Sequence, residues 1–271
     1  MSQNAHQHWA QQHWTDEHAI EAYQQKERWT QQIMQRVSPL LATGAERPRV
    51  VEIGSAQGLM LVSLARMGFE AYGIEPWQPA VEQARRLAQS MNVEIRIDRG
   101  FAESLPYPDN FCDCVLAFSV MEHTKDLGQA LRECHRVLKP GGVVWFNISS
   151  AVCPTQSEIA WFPCFGWYPL SLKRRIMYWA LKNKPAWIGN SDTPALQWVS
   201  PWSGRRALRA AGFEQVWDRW DLRAQDGAGL AAKLVASNML TKTLADMCIS
   251  TLSFAASKPA GSTRARAAAA G

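Results

Sequence analysis

The sequence predicts an α/β fold of the doubly wound kind, and three observations lead to it. Short apolar runs recur between residues 50 and 150 and alternate with helix-period segments, as βα units around a sheet do. The first run, Val50–Ile53, breaks into a turn of small residues, Gly54, Ala56 and Gly58, and a helix-like segment follows at once. With 271 residues and 47% hydrophobic content, the chain has enough apolar material for one large domain or one with an embellishment.

The elements follow in order. Residues 6–41 read as N-terminal helices carrying Trp9, Trp14, Tyr23 and Trp29. Val50-Val51-Glu52-Ile53 is the first strand. Small residues at alternate positions of the next turn let a ligand lie almost on the backbone, and glycine permits the positive φ such a turn needs. Amides at the start of the following helix, Met60–Met67, would face that ligand. Glu70–Glu75 is a second strand ending in an acid, whose two oxygens can accept from both hydroxyls of a ribose. Gln78–Ser90 is a helix with Pro79 in its first turn. Val93–Ile97 alternates as a third strand, and Phe111–Ser119 is a fourth. Leu127, Ala130, Leu131, Cys134, Val137 and Leu138 form one helical stripe, ended by Lys139-Pro140-Gly141-Gly142 before a strand at Val143–Ile148. Beyond residue 200, Ser200 can cap, Pro201 open and Gly212 close a helix over Pro201–Ala211. A strand at Phe213–Leu222, a helix around Leu230–Leu240 and a strand at Met247–Ala256 complete the chain.

The turn is a nucleotide-type cradle, and spacing decides which nucleotide. A dinucleotide fingerprint needs small residues at offsets of about zero, two and five, which here gives Gly54, Ala56 and Leu59. Leu59 would block the close helix–strand packing of the third position. An acid followed by small residues at Gly54, Ala56 and Gly58 fits throughout. That pattern, the acid at Glu75, the Lys-Pro-Gly-Gly turn and the segment Val120-Met121-Glu122-His123, in this order, resemble the class I S-adenosylmethionine-dependent methyltransferases. Within them the small-molecule type, such as the ubiquinone and sugar methyltransferases, is the more similar. The resemblance covers residues 45–150 closely and 200–258 in element order.

The resemblance implies a Rossmann-like, seven-stranded, mostly parallel sheet whose last strand is antiparallel. It implies S-adenosylmethionine as cofactor, held by Glu52, Gly54, Ser55, Ala56, Gly58, Glu75, Pro76, Phe101, Ala102, Glu103, Phe118 and Ser119. Glu52 would sit near the cofactor's amino-acid end and Pro76 against its adenine, while Gly100–Pro106 resembles the adenine-edge loop. Two residues depart from the pattern. Ala56 replaces the usual central glycine, and Phe101 stands where relatives often carry an acid for the adenine amino group. His123 is the candidate catalytic base, because an imidazole titrates near working pH. A purely structural Glu122-His123 is the alternative.

The implied organisation is an N-terminal helical cap (1–44), a cofactor-binding core (45–150), a substrate-binding insert or lid (151–202), the C-terminal part of the core (203–258) and a disordered tail (259–271). The insert follows the fifth strand and is rich in aromatics, among which Trp161, Phe165, Trp167 and Tyr168 are candidate substrate contacts. Within it, Ser171–Lys182 places Leu172, Ile176, Trp179 and Ala180 on one helical face, with Lys173, Arg174, Arg175 and Lys182 mostly elsewhere. Such a helix can pack as a lid or lie on a membrane surface, and the two can coexist.

Composition narrows the partners. Residues 1–150 hold 14 Lys and Arg against 17 Asp and Glu, whereas residues 151–271 hold 15 against 7. The basic second half favours an anionic or lipid-linked small molecule, or an anionic surface. No run of about 18 apolar residues exists to span a membrane. The polar start is unlike a secretory signal, and six scattered cysteines suggest a reducing compartment. The expected location is therefore cytoplasmic, with contact at the inner face of the membrane as a further option. His6, His8, His13 and His18 lack the companions of a metal site, so no metal is expected. No nucleic acid is expected, because no RNA-binding module appears and the charge excess is small. Oligomeric state is not legible. The leading activity is O-methylation of an aromatic, sugar-bearing or lipid-linked small molecule. C-methylation of a quinone-like ring and a catalytically silent cofactor-binding partner are the alternatives.

Overall fold

The computed structural model describes residues 16–42, 44–159, 162–188, 193–225 and 230–260. Seven strands form one sheet: β1 (Arg49–Ile53), β2 (Glu70–Glu75), β3 (Arg96–Arg99), β4 (Cys112–Ala117), β5 (Leu138–Ser149), β6 (Gln215–Asp218) and β7 (Thr251–Ser257). Their order is β3-β2-β1-β4-β5-β7-β6. The first five run parallel, and β7 lies antiparallel between β5 and β6. Around them lie helices α1 (Asp16–Val37), α2 (Leu59–Arg66), α3 (Gln78–Ser90), α4 (Leu127–Val137), α5 (Leu170–Asn183), α6 (Pro201–Ala210), α7 (Arg219–Gln225), α8 (Leu230–Ala236) and α9 (Met239–Asp246). The expected doubly wound sheet with an antiparallel last strand is the one that forms.

The strand period of two sorts side chains into two cores. Val51, Ile53, Val115, Ala117, Val144 and Phe146 pack on one face with Leu131 and Phe254. Val50, Cys114, Leu116, Val143 and Trp145 pack on the other with Leu61, Ile33 and Met34. Cys112 and Cys114 should share a face, yet they enter different cores, because the pairing of β4 with β5 shifts register between them. All six cysteines are free thiols, and four are buried.

Several boundaries differ from those read in the sequence, each for a local reason. The third strand begins at Arg96 rather than Val93, because Asn92 takes a positive φ and Val93 and Ile95 pack against the helical side beside Tyr23. Extended structure does not continue from Phe213 to Leu222, because the Asp218 carboxylate accepts the amides of Trp220 (2.9 Å) and Asp221 (3.0 Å) and so starts α7. The helix expected around Leu230–Leu240 is two helices, since Asn238 accepts from the Thr241 amide at 3.0 Å and begins α9. The last strand starts at Thr251, after α9 has taken the residues to Asp246.

The segment after β5 has a small core of its own, built from Ile159, Phe165, Met177, Ala180, Ile188, Ala195 and Trp198. Its helix α5 does not present the expected face. Leu172 and Trp179 are 43% and 48% exposed, while Lys173 is buried with Met177 and Ala180. Lys173 tolerates this because its ammonium donates to the Gly166 carbonyl and lies 5.1 Å from the Trp198 ring centre. Burial lowers its pKa to about 8, with nearby Glu158 acting the other way.

Among the described residues no helix is long and apolar enough to cross a membrane, and no three His, Cys, Asp or Glu gather to hold a metal ion. Trp9, Trp14, His6, His8, His13, Trp161 and residues 261–271 lie outside the described residues.

Candidate active site

The strand order reverses between β1 and β4, so a crevice opens beyond their carboxyl ends, where doubly wound sheets bind ligands. Two chain segments enter it. Gly54–Gly58 leaves β1, and Phe118–His123 leaves β4. Gly54 and Gly58 take φ of +72° and +76°, and Ala56 follows at +45°. A Cβ on Gly54 would lie 2.1 Å from Val120 Cγ2, and one on Gly58 would lie 2.6 Å from Ala84 Cβ. The glycines are therefore required twice, for conformation and for space.

Glu75 ends the neighbouring strand and braces the turn. Its Oε2 accepts the Ala56 amide at 3.0 Å and its Oε1 accepts the Trp77 amide at 3.1 Å. Pro76 beside it is exposed. Glu52, at the end of β1, is only 5% exposed, and its Oε2 has no hydrogen-bond partner. The buried hydroxyl of Ser55 also lacks one. Burial pushes the Glu52 carboxyl up to about 8, against the pull of Lys26 and with a further push from Glu75. An orphaned buried carboxyl and hydroxyl beside a glycine cradle are what a ligand with its own ammonium and hydroxyls would satisfy. The residues present thus fit the amino-acid and ribose ends of S-adenosylmethionine.

The adenine-edge loop closes one side. Ala102 is buried, whereas Phe101 is 60% exposed. The Glu103 carboxylate accepts the Lys125 amide at 2.7 Å, which ties this loop to the segment after β4. Phe118 meets the Trp29 ring of α1 edge-on at 4.5 Å, and Ser119 is exposed with a φ of +57°. The structure therefore gathers Glu52, Gly54, Ser55, Ala56, Gly58 and Glu75 around one turn, with Phe118 and Ser119 on the segment whose Val120 meets Gly54, and Glu103 tied to that segment at Lys125. Phe101 points outward.

His123 ends a 3-10 turn, Met121–His123, on the segment that leaves β4. Its Nδ1 is buried without a hydrogen-bond partner, while the backbone at Thr193 and Pro194 also interacts with the ring. Burial lowers its pKa below the usual value, and those contacts together with Glu158 oppose the shift. Burial thus favours the neutral imidazole, and Nδ1 is unmet. Glu122 beside it is buried, and burial pushes its carboxyl up to about 7.

The insert is pinned on this segment. The amides of Leu196 (2.6 Å) and Gln197 (3.0 Å) donate to the Glu122 carbonyl. Gln197 Nε2 donates to the Thr124 and Lys125 carbonyls, and Arg174 of α5 donates to the Leu196 carbonyl and to Gln197 Oε1. Ser149 at the end of β5 donates to Glu158, whose other oxygen is buried and unpartnered. The insert therefore brings Glu158 beside Glu122 and His123, a neighbour the sequence reading missed. Its only signal there was that it is one of two acids, with Asp192, in a basic, aromatic stretch.

The proposed aromatic contacts are dispersed. Phe165 is fully buried inside the insert's core and closed to a ligand. Trp167 is 55% exposed, with its indole donating to the Val152 carbonyl at 2.9 Å. Tyr168 is half-buried, its ring 5.6 Å from that of Phe165. Trp161 lies outside the described residues.

Comparison with known proteins agrees with this geometry. Residues 51–146 match the family described as "Methyltransferase domain". A ubiquinone biosynthesis O-methyltransferase of Bradyrhizobium diazoefficiens is 29% identical over 123 residues, 42% of this chain and 48% of that protein. An uncharacterized methyltransferase of Bacillus subtilis, YcgJ, is 36% identical over 95 residues, 35% of this chain and 38% of that one. The match spans less than half the length of these curated relatives. The solved structure of YcgJ superposes with a TM-score of 0.54 at 19% identity, covering 86% of this chain and all of that one, and so shares the fold. Residues 51–146 of this chain are a class I S-adenosylmethionine-dependent methyltransferase domain.

Proposed function

We propose that the protein transfers a methyl group from S-adenosylmethionine to a hydroxyl of a small molecule, with His123 as the base. The observation that carries this reading is the buried, unpartnered Nδ1 of His123, on the segment whose Val120 packs against Gly54. The cofactor, when bound, supplies a methyl already activated on a sulfonium. What this chain must add is position and a proton acceptor.

Each part has a residue to serve it. Glu75 would take the ribose hydroxyls, Glu52 the ammonium, and Ala102 would serve the adenine edge. The acceptor's hydroxyl would donate to His123 Nδ1, which would take the proton as the oxygen bonds to the methyl carbon and the carbon–sulfur bond breaks. Leu196, Gln197 and Arg174 keep the segment 122–125 still and exclude water. The unmet oxygens of Glu122 and Glu158 suit an acceptor with further hydrogen-bond donors. The matching relative named as an O-methyltransferase supports oxygen as the acceptor atom. Residues 1–44 act as a cap on the cofactor and 151–202 as the acceptor insert.

The exposed side of α5 supports a lipid-linked acceptor. Leu172, Tyr178 and Trp179 face outward there beside the exposed Arg175 and Lys182, a combination that suits an anionic bilayer surface. The decisive experiment supplies purified protein and methyl-labelled cofactor to cell extract and identifies the bond that carries the label. Label on oxygen is expected. Label on carbon, or no transfer, contradicts the proposal.

A further inference from the structure

We propose that Lys26, on the N-terminal helix and outside the matched domain, recognises the carboxylate of the cofactor's amino-acid end. The proposal deepens the cofactor reading above and rests on it. It starts from the periodicity of α1. Tyr23, Thr30, Ile33, Met34 and Val37 are the buried residues of this helix, and Lys26 falls on the same stripe, three residues after Tyr23 and four before Thr30. Tyr23 packs with Val62 and Ala88, while Ile33, Met34 and Val37 pack into the main core. Lys26 is thus held against the domain between two apolar anchors. A lysine on such a stripe needs a reason to be there.

Its surroundings point to the cofactor's mouth. The ammonium lies 4.2 Å from the centre of the Trp29 ring, and that ring meets Phe118 at 4.5 Å. Phe118 directly follows Ala117, which pairs with Ile53, so the Lys26–Trp29 pair stands over the start of the Gly54 turn. Glu52, two residues before that turn, is buried with one oxygen unmet and lies within electrostatic reach of Lys26. Among the described residues, Lys26 meets the Trp29 ring and no carboxylate within ion-pair distance. A half-buried cation with no carboxylate at ion-pair distance and a buried acid with one oxygen unmet flank one cradle. An amino acid's carboxylate and ammonium would complete both at once.

Two ligands separate this role from a structural one. S-adenosylhomocysteine carries the amino-acid end, whereas methylthioadenosine has the same adenosine and thioether without it. Titration calorimetry on the full chain should show that Lys26→Met weakens S-adenosylhomocysteine about 10-fold or more, a charged hydrogen bond's contribution, while methylthioadenosine changes less than about twofold. Lys26→Arg should keep most of the affinity, and its thermal melting should match the parent's. Equal loss of both ligands in Lys26→Met would make Lys26 a packing residue and overturn the proposal. Unchanged affinity for S-adenosylhomocysteine would overturn it as well. Binding of neither ligand by the parent protein would instead overturn the cofactor reading itself, and this proposal with it.

Discussion

Glu52 and His123 are both buried ionisable groups, and burial moves their pKa values in opposite directions, each toward the neutral form. For Glu52 the consequence is a proton. With a value of about 8 the free protein holds Glu52 protonated at pH 7, and an arriving ammonium favours the carboxylate. Cofactor binding should therefore release about 0.9 proton at pH 7, read as a heat that varies with buffer ionisation enthalpy, and Glu52→Gln should abolish that dependence. The raised value also has a stability sign. The neutral acid favours the folded state fully below the ordinary carboxylate range, and that benefit disappears as pH rises through about 8. A buffer-independent heat would contradict the assignment of Glu52 to the ammonium. For His123 the lowered value keeps the base available to lower pH, so the acidic limb of kcat/KM should fall below about 6.5. His123→Ala should reduce turnover by about 10²- to 10⁴-fold and leave cofactor affinity nearly unchanged. Retained turnover would remove His123 from the mechanism.

At the scale of elements, the edge of the sheet is held by charge. Asp218 at the end of β6 accepts from Arg205 of α6 at 2.6 Å and from Lys242 of α9 at 3.0 Å, and the same two cations bind Asp221 of α7. Burial alone would raise the Asp218 pKa, but hydrogen bonds and the two cations hold it below its ordinary value of 3.8. Its stabilising effect is therefore present above the ordinary value and is lost as pH falls through the depressed folded one. Asp218→Asn keeps a capping oxygen for α7 and removes the charge. It should cost about 3 kcal/mol in urea unfolding, the low end for breaking a buried pair, because Asp221 still faces both cations. A loss below about 1 kcal/mol would show the network to be solvated. None of this was legible in the sequence, where residues 213–222 read as strand by apolar content alone. The cap that ends β6 is a side-chain contact at short range, and periodicity does not register it. By contrast β1, β2, the Gly54 turn and α4 were legible. Their signals are local: a small-residue turn that only glycine can make, and an apolar stripe at helical spacing. The site divides in the same way. Glu52, Gly54, Gly58 and Glu75 sit in one contiguous motif region, whereas Glu158 and Lys26 arrive from an insert and a cap, brought in by packing. The face of α5 was misread because a buried lysine, Lys173, found a carbonyl and an indole that no helical wheel contains.

For the whole molecule, charge and shape divide the chain. The half that contains the cofactor crevice is mildly acidic, and the basic excess lies beyond residue 150. Around α5 that excess stands beside exposed Tyr178 and Trp179. Vesicles containing an anionic phospholipid should therefore retain the protein at low salt and release it as salt rises, and Tyr178→Ala with Trp179→Ala should weaken retention severalfold at constant fold. Equal retention by neutral vesicles would contradict the electrostatic part of that surface. Cofactor binding depends on the crevice where the strand order reverses. Isothermal titration of the protein and of its Glu75→Ala variant with S-adenosylhomocysteine tests it most directly. A micromolar dissociation constant for the parent, weakened about 10-fold or more by losing the carboxylate proposed to hold the ribose, is the expected result. Undiminished binding by the variant, or binding of NAD in place of S-adenosylhomocysteine, would contradict it.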